Sequence, residues 1–339
     1  MLIKIEKGRS AQRVINRLTE LKCRFWIDLE GRQILIVLPG NDSERVPSKT
    51  FEAFPEVEEI ICSPEPYMLS SREFQKEDTV VKIGKVEIGG KKIVVAAGPC
   101  AVESKEQMDL CARAVKDSGG QILRGGAFKP RTSPFTFQGL KEKGLELLVE
   151  AGKKEGLVVI TEVVASEDVN LVSQYADILQ VGARNMQNIR LLETVGKSKL
   201  PVMLKRGPAS SIKEWLSAAD YVLVEGNNKL ILCERGVVSF SGSGSGLSTR
   251  YILDIGAIPI IKRASHLPII VDPSHAAGQF ELVAPLAKAS IAAGADGLLI
   301  EVHPNPKKAL SDGPQQLTIS DFKRLMKDIE EISSKIKRK

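Results

Sequence analysis

Eight short apolar runs recur between residues 93 and 301, at about 93–97, 121–124, 157–161, 177–181, 201–205, 229–233, 268–272 and 297–301. Segments of helical period separate them, among them residues 105–117, 144–154 and 281–293. A strand covered on both faces reads as a near-continuous apolar run, and parallel sheets acquire that cover from their own crossover helices. Eight strand–helix units in succession favour closure into a (β/α)8 TIM barrel, with a doubly wound open sheet as the other arrangement this pattern allows.

The ends of the runs carry the chemistry. Val94-Val95-Ala96-Ala97 leads into Gly98-Pro99-Cys100, Ile122-Leu123 into Arg124, Val202-Met203-Leu204 into Lys205, and Ile231-Leu232-Cys233 into Glu234-Arg235. Ile269-Ile270-Val271 leads into Asp272-Pro273-Ser274-His275, and Leu298-Leu299-Ile300 into Glu301. A barrel collects the C-terminal ends of its strands on one face, so these groups are expected to converge.

Residues 1–64 follow another pattern. Strands are expected at 1–6, 23–29, 33–38 and 57–62, and helices at 10–21, with Ser10 as N-cap, and weakly at 48–54. That order, βαββαβ, is the ferredoxin-like arrangement. Its common uses are small-ligand regulation and subunit contact. Residues 65–78, with Pro66 and mixed charges, read as a linker, and 79–83 with 85–88 as a hairpin around Gly84 that opens the barrel domain, 79–339.

Composition narrows the function classes. The net charge is +6, yet aromatic residues are only 5%, and the one basic cluster is the tail Lys335, Lys337, Arg338, Lys339. Nucleic-acid binding is therefore not expected. No apolar run approaches the ~18 residues of a membrane span, and the N-terminus reads as a strand, not a signal peptide. Five scattered cysteines argue for a reducing, cytoplasmic setting.

Two constellations follow. Cys100, His275, Glu301 and Asp312 offer a thiolate, an imidazole and two carboxylates, a set that suits one divalent ion, Mn²⁺, Fe²⁺, Co²⁺ or Zn²⁺. Taken singly, a buried cysteine or a loop histidine is more often a packing or hydrogen-bonding group; it is the barrel that brings the four together. Cys23, Cys62, Cys111 and Cys233 lack such company and read as packing residues. The second set is Arg124, Lys129, Arg131, Arg184, Lys205 and Arg235, with Arg206 and His303 beside it. Six cations on one barrel mouth fit phosphorylated, carboxylated substrates better than structural ion pairs. In Lys129-Pro130-Arg131-Thr132-Ser133, cations and hydroxyls flank a rigid proline, a loop suited to a phosphate ester.

Together, Ala97-Gly98-Pro99-Cys100, Leu123-Arg124-Gly125-Gly126-Ala127-Phe128-Lys129-Pro130-Arg131-Thr132-Ser133, Gln180-Val181-Gly182-Ala183-Arg184-Asn185, Leu204-Lys205-Arg206-Gly207, Cys233-Glu234-Arg235-Gly236, Val271-Asp272-Pro273-Ser274-His275 and Ala309-Leu310-Ser311-Asp312-Gly313 resemble the 3-deoxy-D-arabino-heptulosonate 7-phosphate (DAHP) synthases of the type I beta branch. The resemblance covers residues 80–330, and residues 1–64 are similar to the regulatory domain that some members carry. It implies a transferase that condenses phosphoenolpyruvate with erythrose 4-phosphate and water, giving DAHP and phosphate at the entry to the shikimate pathway. Cys100, His275, Glu301 and Asp312 would hold the metal. Arg124, Lys129, Pro130, Arg131, Thr132, Ala183, Arg184, Lys205 and Arg235 would bind the substrates, Arg131 and Thr132 the erythrose phosphate. Lys129, with Cys100 and His275, would be catalytic. The resemblance also implies a homotetramer and feedback inhibition by tyrosine or phenylalanine. The neighbouring branch makes 3-deoxy-D-manno-octulosonate 8-phosphate from arabinose 5-phosphate, and the 129–133 loop favours erythrose 4-phosphate over that alternative.

The chain departs from the family at residues 239–248. Phe240-Ser241-Gly242-Ser243-Gly244-Ser245-Gly246-Leu247-Ser248 stands where relatives carry a shorter, charged stretch. Its composition is that of a flexible loop, read as a surface insertion, as a lid over the mouth, or as an engineered linker or altered subunit contact.

Overall fold

A computed structural model describes every residue except 31–32, 39, 64, 131–132, 239–247 and 337–339. The Gly-Ser segment therefore lies outside the described residues apart from Ser248, as do Arg131 and Thr132.

The chain begins with β1 (Leu2–Ile5), α1 (Gln12–Glu20), β2 (Trp26–Glu30), β3 (Gln33–Val37), α2 (Gly40–Arg45), α3 (Lys49–Glu52) and β4 (Val57–Ile61). The four strands pair antiparallel in the order β2-β3-β1-β4. Alternation sorts the side chains: Ile3, Ile5 and Ile36 pack with Val14, Leu18 and Phe51 of the helices, while Leu2 and Leu35 emerge on the other face against Met68. Helix α2 was not expected, because Gly40-Asn41-Asp42-Ser43-Glu44-Arg45 has no apolar period. Ser10 is not the N-cap; Ala11 is, although the Ser10 hydroxyl accepts from the Gln12 amide at 3.2 Å. Cys62 is exposed and is not a packing residue, because the chain leaves the sheet directly after β4.

Residues 67–79 are tied down along the barrel's flank. The Asp220 carboxylate accepts the backbone amides of Met68, Leu69 and Ser70 at 2.6, 3.2 and 2.8 Å. Arg72 donates to the carbonyls of Lys262 and Ser265 at 3.0 and 2.6 Å. His266 is bonded through one ring nitrogen to the Leu69 carbonyl at 2.8 Å and through the other to the Thr79 hydroxyl at 2.7 Å. The segment expected as a linker is thus hydrogen-bonded to the barrel along much of its length.

A hairpin, β5 (Val81–Ile83) and β6 (Val86–Ile88), precedes the barrel strands: β7 (Val94–Gly98), β8 (Ile122–Arg124), β9 (Val158–Val163), β10 (Ile178–Val181), β11 (Val202–Lys205), β12 (Leu230–Glu234), β13 (Ile269–Val271) and β14 (Gly297–Glu301). All are parallel, and β7 pairs with both β8 and β14, so the sheet is closed and the open-sheet alternative is ruled out. Between and after them run α4 (Lys105–Asp117), α5 (Glu142–Glu155), α6 (Val169–Val172), α7 (Ile189–Lys197), α8 (Ile212–Leu223), α9 (Ala257–Ala264), α10 (Pro273–Ala277), α11 (Phe280–Ala292) and α12 (Ile319–Lys335).

Each strand has two apolar parities. Val94, Ala96, Ile122, Ile160, Ile178, Met203, Ile231, Cys233, Ile270 and Leu299 fill the barrel interior, and Val81 and Ile88 of the hairpin close its N-terminal end. Val95, Leu123, Leu179, Leu204, Leu232, Val271 and Ile300 face the helices. The interior is a packed layer, not a pore, and whatever continues the inward parity emerges at the C-terminal mouth. Gly98 allows the first two strands to approach there: a Cβ on it would lie 2.1 Å from the Arg124 carbonyl oxygen.

Candidate active site

Inward parity selects the functional residues. Counting two residues from each interior side chain gives Arg124 from Ile122, Glu162 from Ile160, Lys205 from Met203, Arg235 from Cys233, Asp272 from Ile270 and Glu301 from Leu299. Arg206 and Glu234 have the opposite parity. They turn outward and pair at 2.9 Å, and Arg206 also reaches Asp254 at 2.9 Å, so Arg206 is a structural cation. His303 is turned to Glu103, 3.4 Å away, and does not join the mouth cluster.

Donor atoms of Cys100, His275, Glu301 and Asp312 lie within 4.8 Å of one another. Four chain segments deliver them. Cys100 follows β7 and is buried; its amide donates to the Gln316 side-chain oxygen at 3.0 Å, fastening this turn to the loop that carries Asp312. Asp312 itself sits in the left-handed region, φ +50°, between Ser311 and Gly313. His275 lies in α10, whose N-cap is Asp272 and whose first residue is Pro273, a combination that starts a helix in a fixed direction. Glu301 ends β14, fully buried; its amide donates to the Ser274 hydroxyl at 3.0 Å.

The electrostatics fit a cation between these groups. Burial alone would raise the Glu301 carboxyl, but His275, Arg124 and Lys129 bring it down to about 2. Arg124 donates to Glu301 at 2.6 Å and Gln315 to its other oxygen at 2.6 Å. Burial pulls the His275 imidazole below its ordinary value, against the pull of Asp272. A neutral ring that keeps its Nδ1 proton on Asp272 Oδ2, 2.7 Å away, directs the Nε2 lone pair toward Glu301 at 3.4 Å. Burial pushes the Cys100 thiol up to about 12, so it is protonated in the absence of metal. Thiol, imidazole and carboxylates in this arrangement fit a borderline divalent ion, which would take the thiol's proton away.

Next to this cluster is a cleft rich in cations. Ala183, Arg184, Lys205, Arg235, Tyr251 and His275 line it, with Glu162. Lys205 donates to Asp272 Oδ2 at 2.6 Å, so one buried carboxylate orients both the lysine and the histidine. Burial would raise Asp272, yet His275 and Lys205 hold it well below the usual carboxylate range. Lys129 donates to the carbonyl and the Sγ of Cys100 at 3.0 and 3.1 Å, between cluster and cleft. Burial would lower its ammonium; the pull of Cys100 once ionised, and of Glu301, outweighs that and raises it. Arg184 is exposed and donates to the Pro130 carbonyl at 3.3 Å. Arg235 is only 6% exposed, and its Nη1 has no hydrogen-bond partner among the described residues, an orphaned cationic donor of the kind an anion satisfies.

The sequence pointed to the candidate ligands and cations but not to the groups that contact them, Arg250, Tyr251, Asp272 as orienting carboxylate, and Gln315, nor to Glu162 in the cleft wall. Strand parity would have found Glu162 and Asp272. Nothing local marks Arg250, Tyr251 or Gln315, which arrive from loops.

Residues 72–338 match the DAHP synthetase I family. Among curated proteins, the chain is 45% identical to a phospho-2-dehydro-3-deoxyheptonate aldolase of Thermotoga maritima over 98% of both chains. It is 30% identical to a 2-dehydro-3-deoxyphosphooctonate aldolase of Geobacter sulfurreducens over 76% of this chain and 98% of that one. A crystal structure of phospho-2-dehydro-3-deoxyheptonate aldolase (DAHP synthase) from Thermotoga maritima superposes with TM-score 0.79 at 44% identity, covering 98% of this chain and 97% of the other. A truncated form of 3-deoxy-D-arabino-heptulosonate 7-phosphate synthase from the same organism gives 0.73 at 46% identity, covering 79% of this chain and 97% of the other.

Proposed function

The chain belongs to the DAHP synthetase I family and is an enzyme of DAHP synthase activity, and from that premise we propose how its residues divide the work. Phosphoenolpyruvate occupies the cleft, its phosphate on Arg184, Lys205 and Arg235 and its carboxylate toward Arg124 and Lys129. The observation that carries this is the buried, unpartnered Nη1 of Arg235 beside the metal-ligand cluster. Erythrose 4-phosphate enters from the loop of Lys129, Pro130, Arg131 and Thr132, with its aldehyde toward the cluster. Cys100, His275, Glu301 and Asp312 hold one divalent ion, Mn²⁺, Fe²⁺, Co²⁺ or Zn²⁺, which when bound supplies Lewis acidity for the aldehyde oxygen.

In this reading C3 of phosphoenolpyruvate attacks the aldehyde carbon, and Lys129 gives a proton to the oxygen that becomes a hydroxyl. Water adds to C2, its proton going to a carboxylate of the cleft such as Glu162. The resulting hemiketal breaks its C2–O bond to phosphate, the hydroxyl proton leaving with the phosphate, and the C2 ketone of DAHP remains. Arg124 holds Glu301 in place, and Asp272 keeps His275 in the tautomer that presents Nε2.

Residues 1–64 act as a ferredoxin-like regulatory domain of a type I beta enzyme. The β2-β3-β1-β4 order with helices on one face supports this. So does the truncated relative, whose match to 79% of the chain leaves out about the length of that domain. Tyrosine or phenylalanine is the proposed inhibitor. A homotetramer in the cytoplasm completes the proposal.

The test is phosphoenolpyruvate consumption with erythrose 4-phosphate or arabinose 5-phosphate, before and after chelation and Mn²⁺ restoration. Metal-dependent turnover with erythrose 4-phosphate is expected. Preference for arabinose 5-phosphate would overturn the substrate assignment, and turnover indifferent to chelation would overturn the metal site. Lys129→Met should lose turnover far more than phosphoenolpyruvate affinity; equal losses would reduce Lys129 to an anchor. Deletion of residues 1–65 should abolish inhibition and keep turnover, and an insensitive full-length enzyme would remove the regulatory role.

A further inference from the structure

Three other buried cations of the barrel have carboxylate partners: Arg124 has Glu301, Lys205 has Asp272, and Arg206 has Glu234 and Asp254. Arg235 has an aromatic face instead. Its guanidinium carbon stands 4.0 Å from the centroid of the Tyr251 ring. The difference has a physical consequence. A carboxylate would fix the guanidinium but cancel its charge and compete with an incoming anion. A ring beneath it attracts the cation through its quadrupole without neutralising it, and Nη1 is left without a partner among the described residues.

Tyr251 is itself firmly mounted. Its amide donates to the Ala276 carbonyl at 2.9 Å, so it rides on the helix that holds His275. The next residue, Ile252, exchanges two backbone hydrogen bonds with Val237, at 2.9 Å each. Gly236, φ +94°, makes room for the ring's approach: a Cβ there would meet the Tyr251 Cβ at 2.7 Å. Arg250 lies 5.8 Å from the same ring centroid and reaches Asp312 at 3.5 Å and Gln315 at 3.1 Å. The Arg250-Tyr251 pair thus abuts the cleft and the metal-ligand loop together.

We propose that Tyr251 is the positioning residue of the Arg235 anion site, orienting the guanidinium toward the phosphate of phosphoenolpyruvate without neutralising it. This rests on the assignment of the cleft to phosphoenolpyruvate. Tyr251→Leu removes the quadrupole and keeps an apolar side chain of moderate bulk; Tyr251→Phe keeps the ring. In the full-length, metal-loaded enzyme, Tyr251→Leu is expected to raise the KM for phosphoenolpyruvate by about tenfold. The KM for erythrose 4-phosphate and the thermal midpoint should stay near the parent's, and Tyr251→Phe should restore the parent KM. A calorimetric titration with phosphoenolpyruvate should show Tyr251→Leu adding no further loss of affinity to Arg235→Gln. The proposal is overturned if Tyr251→Leu leaves the phosphoenolpyruvate KM unchanged, if both KM values rise alike, if the loss recurs in full on Arg235→Gln, or if Tyr251→Phe is as impaired as Tyr251→Leu. Failure of the cleft assignment has a different signature: the parent enzyme would not bind phosphoenolpyruvate, or Arg235→Gln would bind it as well as the parent.

Discussion

Asp272→Asn tests the logic of the whole site. The carboxylate is fully buried; its Oδ2 takes hydrogen bonds from Lys205 at 2.6 Å and His275 Nδ1 at 2.7 Å, and its Oδ1 accepts the His275 amide at 3.0 Å. Asparagine keeps the shape but has one acceptor oxygen. If that oxygen stays on the helix cap, its NH₂ faces Lys205 and the Nδ1 proton, donor against donor. If it flips, the cap is lost. Either way Lys205 becomes a buried cation without its anion, and removing one partner of a buried pair costs about 3–5 kcal/mol. One retained bond puts the expectation near the lower end, about 3 kcal/mol in metal-free enzyme. The histidine loses the group that holds its tautomer, and such outer partners are worth roughly 10–100-fold in metal affinity. Denaturant unfolding of the parent and Asp272→Asn, without metal and with Mn²⁺, gives both numbers. The variant should be weaker in each condition, and the stabilisation by metal should itself shrink by about 1.4–2.7 kcal/mol. A variant as stable as the parent, with metal affinity within about twofold, would refute the claim that Asp272 orients both groups.

The remaining predictions concern stability. Glu301 titrates at about 2 against an ordinary 4.5, a depressed carboxyl, so its contribution is complete above pH 4.5 and is lost as pH falls toward 2. That loss is worth roughly 3 kcal/mol in metal-free protein; stability of the parent between those limits should fall more steeply with acid than that of Glu301→Gln, and parallel curves would contradict the ion-pair account. Asp220→Ala strands the three amides of Met68, Leu69 and Ser70. Partly relieved by water, this should cost about 2–4 kcal/mol. Hydrogen exchange at 68–70 should accelerate at least about tenfold; unchanged exchange would mean that Asp220 is not what holds this segment.

Much of the barrel was legible because its strands are buried on both faces. Eight apolar runs stand out from the helical period, and each expected strand is found within a residue or two at either end. The site was legible for a related reason. A strand that ends in Arg, Lys or Glu after an apolar run has few places to put that charge except the mouth. What a run does not display is which of two adjacent polar residues points inward. Lys205 and Arg206 are neighbours of the same charge, yet one faces the cleft and the other Glu234. Their parity relative to Met203 decides it, and that parity is known only once the interior layer is known.

The sequence by itself determined the strand–helix alternation, the thiol, imidazole and carboxylates near strand ends, and the excess of cations there. These depend on residue type and period, which act locally. Tertiary structure alone decided that the barrel is closed, that residues 67–79 are strapped to Asp220 and His266, that Cys62 is exposed, and that Tyr251 lies under Arg235. Each of these joins groups far apart in the chain or sets one position against solvent. Their energies arise from removal of water and from hydrogen bonds between distant segments, terms that do not exist until the segments meet.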